Sequence, residues 1–263
     1  MKKLVALMLI FIMALSLTAC GGSNKDQTDM EAVKERGKLV VGMTDYAPMD
    51  FKAEGSDEWI GFDADMAKAF AKELGIEVEF VEIEWDNKIM ELDSGAIDCV
   101  WNGMTLSDEV KAGMDCSNAY CTNSQAIIVP ADVADKYQTV ESLADLEFAV
   151  EVGSAGKAQA EANKLNYTEV DSQAKALFEV KSKTSKAAII DALMAGAMVG
   201  EGTDYADLTY TVTLGDEEFG VGFRKGSDLV DALNDFLKAS YEDGSMMKCA
   251  EKYGVQAAII PQK

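Results

Sequence analysis

Short apolar runs alternate with helix-periodic segments along nearly the whole 263-residue chain, and this alternation leaves few folds open. Leu39-Val40-Val41 reads as a buried strand. Gly61-Phe62-Asp63-Ala64-Asp65 opens a helix in which Met66, Phe70 and Leu74 recur every fourth residue, and Gly75 ends it. Residues 78–83 are the next strand, 87–93 a helix and 97–100 a strand. Such an order predicts a parallel sheet covered on both faces, with ligands bound at the carboxyl ends of its strands. A strand over 124–129 and a helix-rich connector over 131–146 lead into a second alternation. It reads as strand 148–150, helix 157–164, strand 168–170, helix 173–180 and strand 187–190. Two further strands follow at 209–214 and 219–223, the latter returning toward the first block, and amphipathic helices from Ser227 and Ser245 close the chain. The expected architecture is α/β, two lobes joined by two crossover strands near Ala126 and Phe219. Lobe 1 is expected over 29–123 and 219–263, and lobe 2 over 124–218.

Ahead of the first block, Met1-Lys2-Lys3 precedes an apolar run over 4–17, too short to span a bilayer comfortably and followed by small residues. Residues 1–19 read as an export signal and 20–28 as a flexible tether. Leu17-Thr18-Ala19-Cys20 with Gly21-Gly22 resembles the lipobox of bacterial lipoproteins, which implies that Cys20 is acylated and anchors the mature chain to the membrane. Charge narrows the partners: 46 acidic against 24 basic residues give a net charge of −22, which repels nucleic acid and favours a cation. Beyond Cys20, the cysteines Cys99, Cys116, Cys121 and Cys249 have no zinc-site spacing and the chain has no histidine, so no metal or cofactor is expected.

Three stretches carry groups that could hold a small solute. Residues 101–120, WNGMTLSDEVKAGMDCSNAY, leave a buried strand through Gly103, Thr105 and Ser107 and start a helix, presenting backbone N–H groups and hydroxyls. Gly153-Ser154-Ala155-Gly156 leads into a helix in the same manner, an arrangement suited to an anion. Asp191 follows the apolar strand Ala187-Ala188-Ile189-Ile190, where it either receives an ammonium or caps the helix that follows. Tyr46, Trp59, Phe62, Trp85 and Trp101 are candidate aromatic walls, Tyr46 and Trp101 adjoining motifs that should face the cleft.

Six motifs in order resemble the extracellular solute-binding proteins of bacterial amino-acid ABC transporters, family 3: Gly37-Lys38-Leu39-Val40-Val41-Gly42, Gly61-Phe62-Asp63-Ala64-Asp65, Ser94-Gly95-Ala96-Ile97-Asp98, Gly103-Met104-Thr105, Gly153-Ser154 and Gly220-Val221-Gly222-Phe223-Arg224-Lys225-Gly226. The resemblance implies a two-lobed periplasmic-binding-protein-like clamp of type II. It would be a monomer anchored outside the cytoplasm that captures an amino acid or amine and delivers it to an ABC permease. It implies a ligand site of Tyr46, Trp101, Asn102, Gly103, Thr105, Ser154, Ala155 and Asp191, with Asp191 receiving the ligand's amino group. The same fold also resembles cyclohexadienyl dehydratase and the binding-like module of lytic transglycosylases, so an enzyme is the rival reading, and a ligand-sensing module a third. One position departs from the family pattern. Val110 stands where relatives carry the arginine that pairs with the ligand's carboxylate, Lys111 points about 100° away along the helix, and Arg36 and Arg224 belong to other segments. The ligand is then either an amine lacking a free α-carboxylate, or an amino acid whose carboxylate rests on the Gly103 and Ala155 N–H groups and the Thr105 hydroxyl.

Overall fold

A computed structural model of the chain describes residues 27–53 and 55–262; the expected export signal and Cys20 lie outside them. Thr28 and Glu31 form a capping box at the start of helix α1 (Asp29–Arg36), each side chain accepting from the other's backbone N–H at 3.2 Å, and Gly37 ends the helix in the left-handed conformation. Strand β1 (Lys38–Met43) follows, then a short hairpin of β2 (Phe51–Lys52) and β3 (Trp59–Ile60). Helix α2 (Phe62–Leu74) buries Met66 and Phe70 and ends at Gly75; β4 (Glu77–Glu82), α3 (Lys88–Ser94) and β5 (Cys99–Thr105) complete the first alternation. Helix α4 (Asp108–Gly113) and β6 (Asp115–Cys116) lead to the long β7 (Cys121–Pro130).

The second alternation is β8 (Glu147–Glu151), α5 (Ala155–Ala162), β9 (Asn166–Val170), α6 (Gln173–Lys181), β10 (Ala187–Asp191) and α7 (Ala192–Met198). β11 (Leu208–Phe223) then returns, and α8 (Leu229–Glu242) and α9 (Ser245–Tyr253) pack on the first half. In hydrogen-bonding order the strands run β4-β1-β5-β11-β7-β10-β8-β9. Each half is a parallel trio in the same local order, second-first-third: β4-β1-β5 and β9-β8-β10. The two crossing strands β7 and β11 lie antiparallel between the trios. Because they pair with each other from Leu208–Pro130 through to Phe219–Cys121, backbone hydrogen bonding is continuous from one lobe to the other rather than divided into two sheets.

Three expectations are corrected. The connector over 131–146 is two short 3₁₀ turns, Ala131–Lys136 and Val140–Leu143, in which Leu143 alone is buried. Without a continuous apolar stripe, a longer helix there has nothing to pack against. The chain does not leave the strand expected over 97–100 at Gly103, because Gly103-Met104-Thr105 is the end of β5: Gly103 sits at φ +52°, where a Cβ would come within 2.5 Å of the Tyr46 ring, so the glycine lets the strand run on beneath that side chain. The strands expected at 209–214 and 219–223 are one, because Asp216, Glu217 and Glu218 find ladder partners in Ser124, Asn123 and Thr122. The four cysteines outside the undescribed N-terminus are free thiols.

Candidate functional site

The carboxyl ends of β1, β5, β8 and β10 converge, as parallel strands at a switch of connection direction should. Between them lies a cavity of about 290 Å³. Its wall includes Tyr46, Asn102, Gly103 and Thr105 from the first half and Ser154, Ala155 and Asp191 from the second, seven of the eight residues expected. The eighth, Trp101, is a correction: it is 1% exposed and packs against Phe70 in the core at 6.4 Å between ring centroids. Strand alternation is the reason, since Asn102 faces the cavity and its neighbour must face away. Phe62 is likewise core, Trp59 pairs with Lys52, and Trp85 is in the wall.

Asp191 is the most elaborated group. It is 4% exposed, and although it stands at the N-cap position of α7 its side chain makes no cap bond. One carboxylate oxygen accepts from the Asn123 amide and, at 2.7 Å, from the Gln125 amide; the other accepts from Gln173, whose own carbonyl oxygen takes the Asp191 N–H at 2.7 Å. Asn123 and Gln125 also donate to Glu217 on the crossing strand, so two carboxylates share two amides. Burial, and then the nearby Glu217, push Asp191 up to about 8. Glu151, 3% exposed at the end of β8, is also pushed up to about 8, by burial and then by Asp191, with Lys88 and Gln173 opposing.

Several expected donors are already committed. The Gly103 N–H donates to Asp63 at 2.6 Å, which also accepts from the Tyr120 hydroxyl at 2.7 Å. Asn102 accepts from the Thr44 N–H and hydroxyl and donates to the Thr44 carbonyl and to Asp50, so it braces the loop after β1. The Ser154 hydroxyl caps α5 by accepting from the Lys157 N–H at 3.2 Å. Tyr46 differs: its hydroxyl is buried in the cavity wall without a partner among the described residues, and burial first, then the charge of Asp191, raises its pKa.

Val110 is in the wall, 5% exposed, and no arginine is. Arg36 pairs with Asp98, while Arg224 pairs with Asp29 at 2.9 Å and donates to the Ile97 carbonyl at 2.7 Å. Sequence reasoning missed Lys88, the one cationic side chain in the wall among the described residues, together with Glu151 and Gln173. Lys88 was legible in one respect. It opens α3, where free N–H groups disfavour a cation, so a lysine at that place calls for a reason.

Two α/β lobes joined by two crossing strands, with a small polar cavity where their strand ends meet, define a solute-binding clamp. The chain belongs to the bacterial extracellular solute-binding proteins, family 3, whose pattern matches residues 39–256. It is similar to the arginine-binding extracellular protein ArtP of Bacillus subtilis, 32% identical over 262 residues that cover 96% of this chain and 98% of the relative. Among solved structures, an ABC uptake transporter substrate-binding protein from Streptococcus pneumoniae with bound histidine superposes with a TM-score of 0.80 at 28% identity, covering 88% of this chain and 98% of that one. The ancestral amino-acid-binding protein AncCDT-1, a precursor of cyclohexadienyl dehydratase, gives 0.78 at 35% identity, with coverage of 85% and 98%.

Proposed function

We propose that this chain is the capture component of an amino-acid ABC importer, closing its two lobes on an amino acid or related amine and passing it to a permease. The lobes are 29–123 with 219–263, and 124–218. The observation that carries the reading is Asp191: a buried carboxylate in the cavity, oriented by three amides and unused as a helix cap, suits an incoming ammonium. The relatives named above, which bind arginine or histidine, support the ligand class. Binding rather than catalysis is the reading that these relatives support, since both are described as binding proteins. Attachment through an acylated Cys20 and residence outside the cytoplasm complete the reading. Removing one partner of a buried charge pair costs ~2 to 5 kcal/mol, so Asp191→Ala should weaken amino-acid binding roughly thirty-fold or more in titration calorimetry, with its melting transition still cooperative. Equal affinities in parent and variant would refute the assignment.

A further inference from the structure

The cavity holds a buried cation that the chain leaves without a close counter-charge. Lys88 is 7% exposed at the start of α3. Its Nζ donates to the Trp85 carbonyl at 3.1 Å and, across the cleft, to the Gly153 carbonyl at 3.2 Å, and it lies 4.8 Å from the centre of the Trp85 ring. An ammonium has three N–H donors, and these two carbonyls take two. Among the described residues no carboxylate comes within the 4.0 Å of an ion pair with it. Glu109, Asp86 and Glu151 act on it only from farther away. Carbonyls and a ring face stabilise a cation only in part, and a buried charge needs an opposite one. Val110 shares the cavity wall with Lys88 and brings no charge to it.

We infer that Lys88 is the partner of the ligand's carboxylate, so that the protein selects amino acids with a free carboxylate over amines and amides. The inference rests on the reading of the cavity as an amino-acid site and decides between the two ligand classes that the missing arginine leaves open. The ligand's ammonium goes to Asp191 in lobe 2 and its carboxylate to Lys88 in lobe 1, so the ligand itself ties the lobes together. Lys88 replaces a planar fork with a point charge, which orients a carboxylate less strictly than a bidentate guanidinium does.

The test separates this role from a merely structural one. The standard amino acids are screened by thermal shift, and the tightest is compared by calorimetry with its analogue in which the carboxylate is a primary amide. The parent should prefer the acid by roughly thirty-fold or more, Lys88→Met should bring acid and amide within about threefold, and Lys88→Arg should retain a clear preference. A structural role for Lys88 would lower both affinities together and leave their ratio unchanged, which would overturn the inference. A parent that binds an amine or amide as tightly as the acid would also overturn it while leaving the amine-binding reading intact. If no amino acid or amine binds at all, that reading fails and the inference with it.

Discussion

Asp63, Glu151 and Asp191 are buried carboxyls held above the usual carboxylate range, at about 7, 8 and 8, with burial the largest cause in each case. The unfolded chain gives up these protons near pH 4, so between there and about pH 8 the native state binds more protons and stability falls as pH rises. That sign is opposite to a salt-bridged aspartate. Asp191→Asn removes one such group: without ligand, the variant should melt above the parent at pH 8 by about 2–4 °C for each kcal/mol recovered, and the gap should narrow toward pH 4. A melting difference independent of pH would contradict a raised Asp191. The proposed function pulls the other way, because an ammonium at Asp191 requires the ionised carboxylate. The site therefore keeps a group that costs stability when empty of a partner charge, as ligand sites commonly do.

At the scale of elements, the loop between β8 and α5 meets the turn before α3 across the cleft. Gly153 is at φ +67°, and a Cβ there would lie 2.6 Å from the Asp86 carboxylate and 3.0 Å from its Cα. Gly153→Ala should then have two separable effects. Left-handed backbone costs an alanine about 1–2 kcal/mol whether the lobes are open or closed, which lowers the melting temperature. Contact with Asp86 arises only when the lobes meet, so ligand affinity should drop by roughly tenfold and the radius of gyration with saturating ligand should stay larger than the parent's. Lower stability with unchanged affinity would mean that this contact is absent from the ligand-bound form. The Lys88 bond to the Gly153 carbonyl spans the same seam, so charge recognition and lobe contact share one place.

For the whole molecule, β7 and β11 are both the connection between the lobes and the frame around Asp191, since Asn123 and Gln125 lie on one and Glu217 on the other. Bulges at Tyr210/Thr213 and Leu214/Asp216 interrupt their pairing beside that point, and interrupted ladders bend more readily than regular ones. The proposed function places capture at a membrane surface, which needs attachment. Cys20→Ala should release the protein from the membrane fraction or block its processing, while its ligand affinity stays that of the parent. Unchanged fractionation would argue against acylation at Cys20.

The two alternations of strand and helix and Asp191 at a strand end were legible in the sequence, because local periodicity and the direction of parallel strands determine them, whereas the β2–β3 hairpin, the 3₁₀ connector and the unbroken course of β11 were not. Val110 was legible too, as a departure from a pattern. What tertiary structure alone decided is which donors are free. Gly103 gives its N–H to Asp63 from α2, Asn102 spends its amide on Thr44 and Asp50, and Trp101 turns to Phe70, partners 31 to 58 residues away in the chain. Lys88 and Glu151 come together in one cavity from opposite lobes, 63 residues apart. Sequence periodicity reports which face of its own element a side chain occupies. Whether that side chain has a partner depends on packing between elements, and here that packing leaves Lys88 without a close carboxylate and Asp191 oriented by three amides.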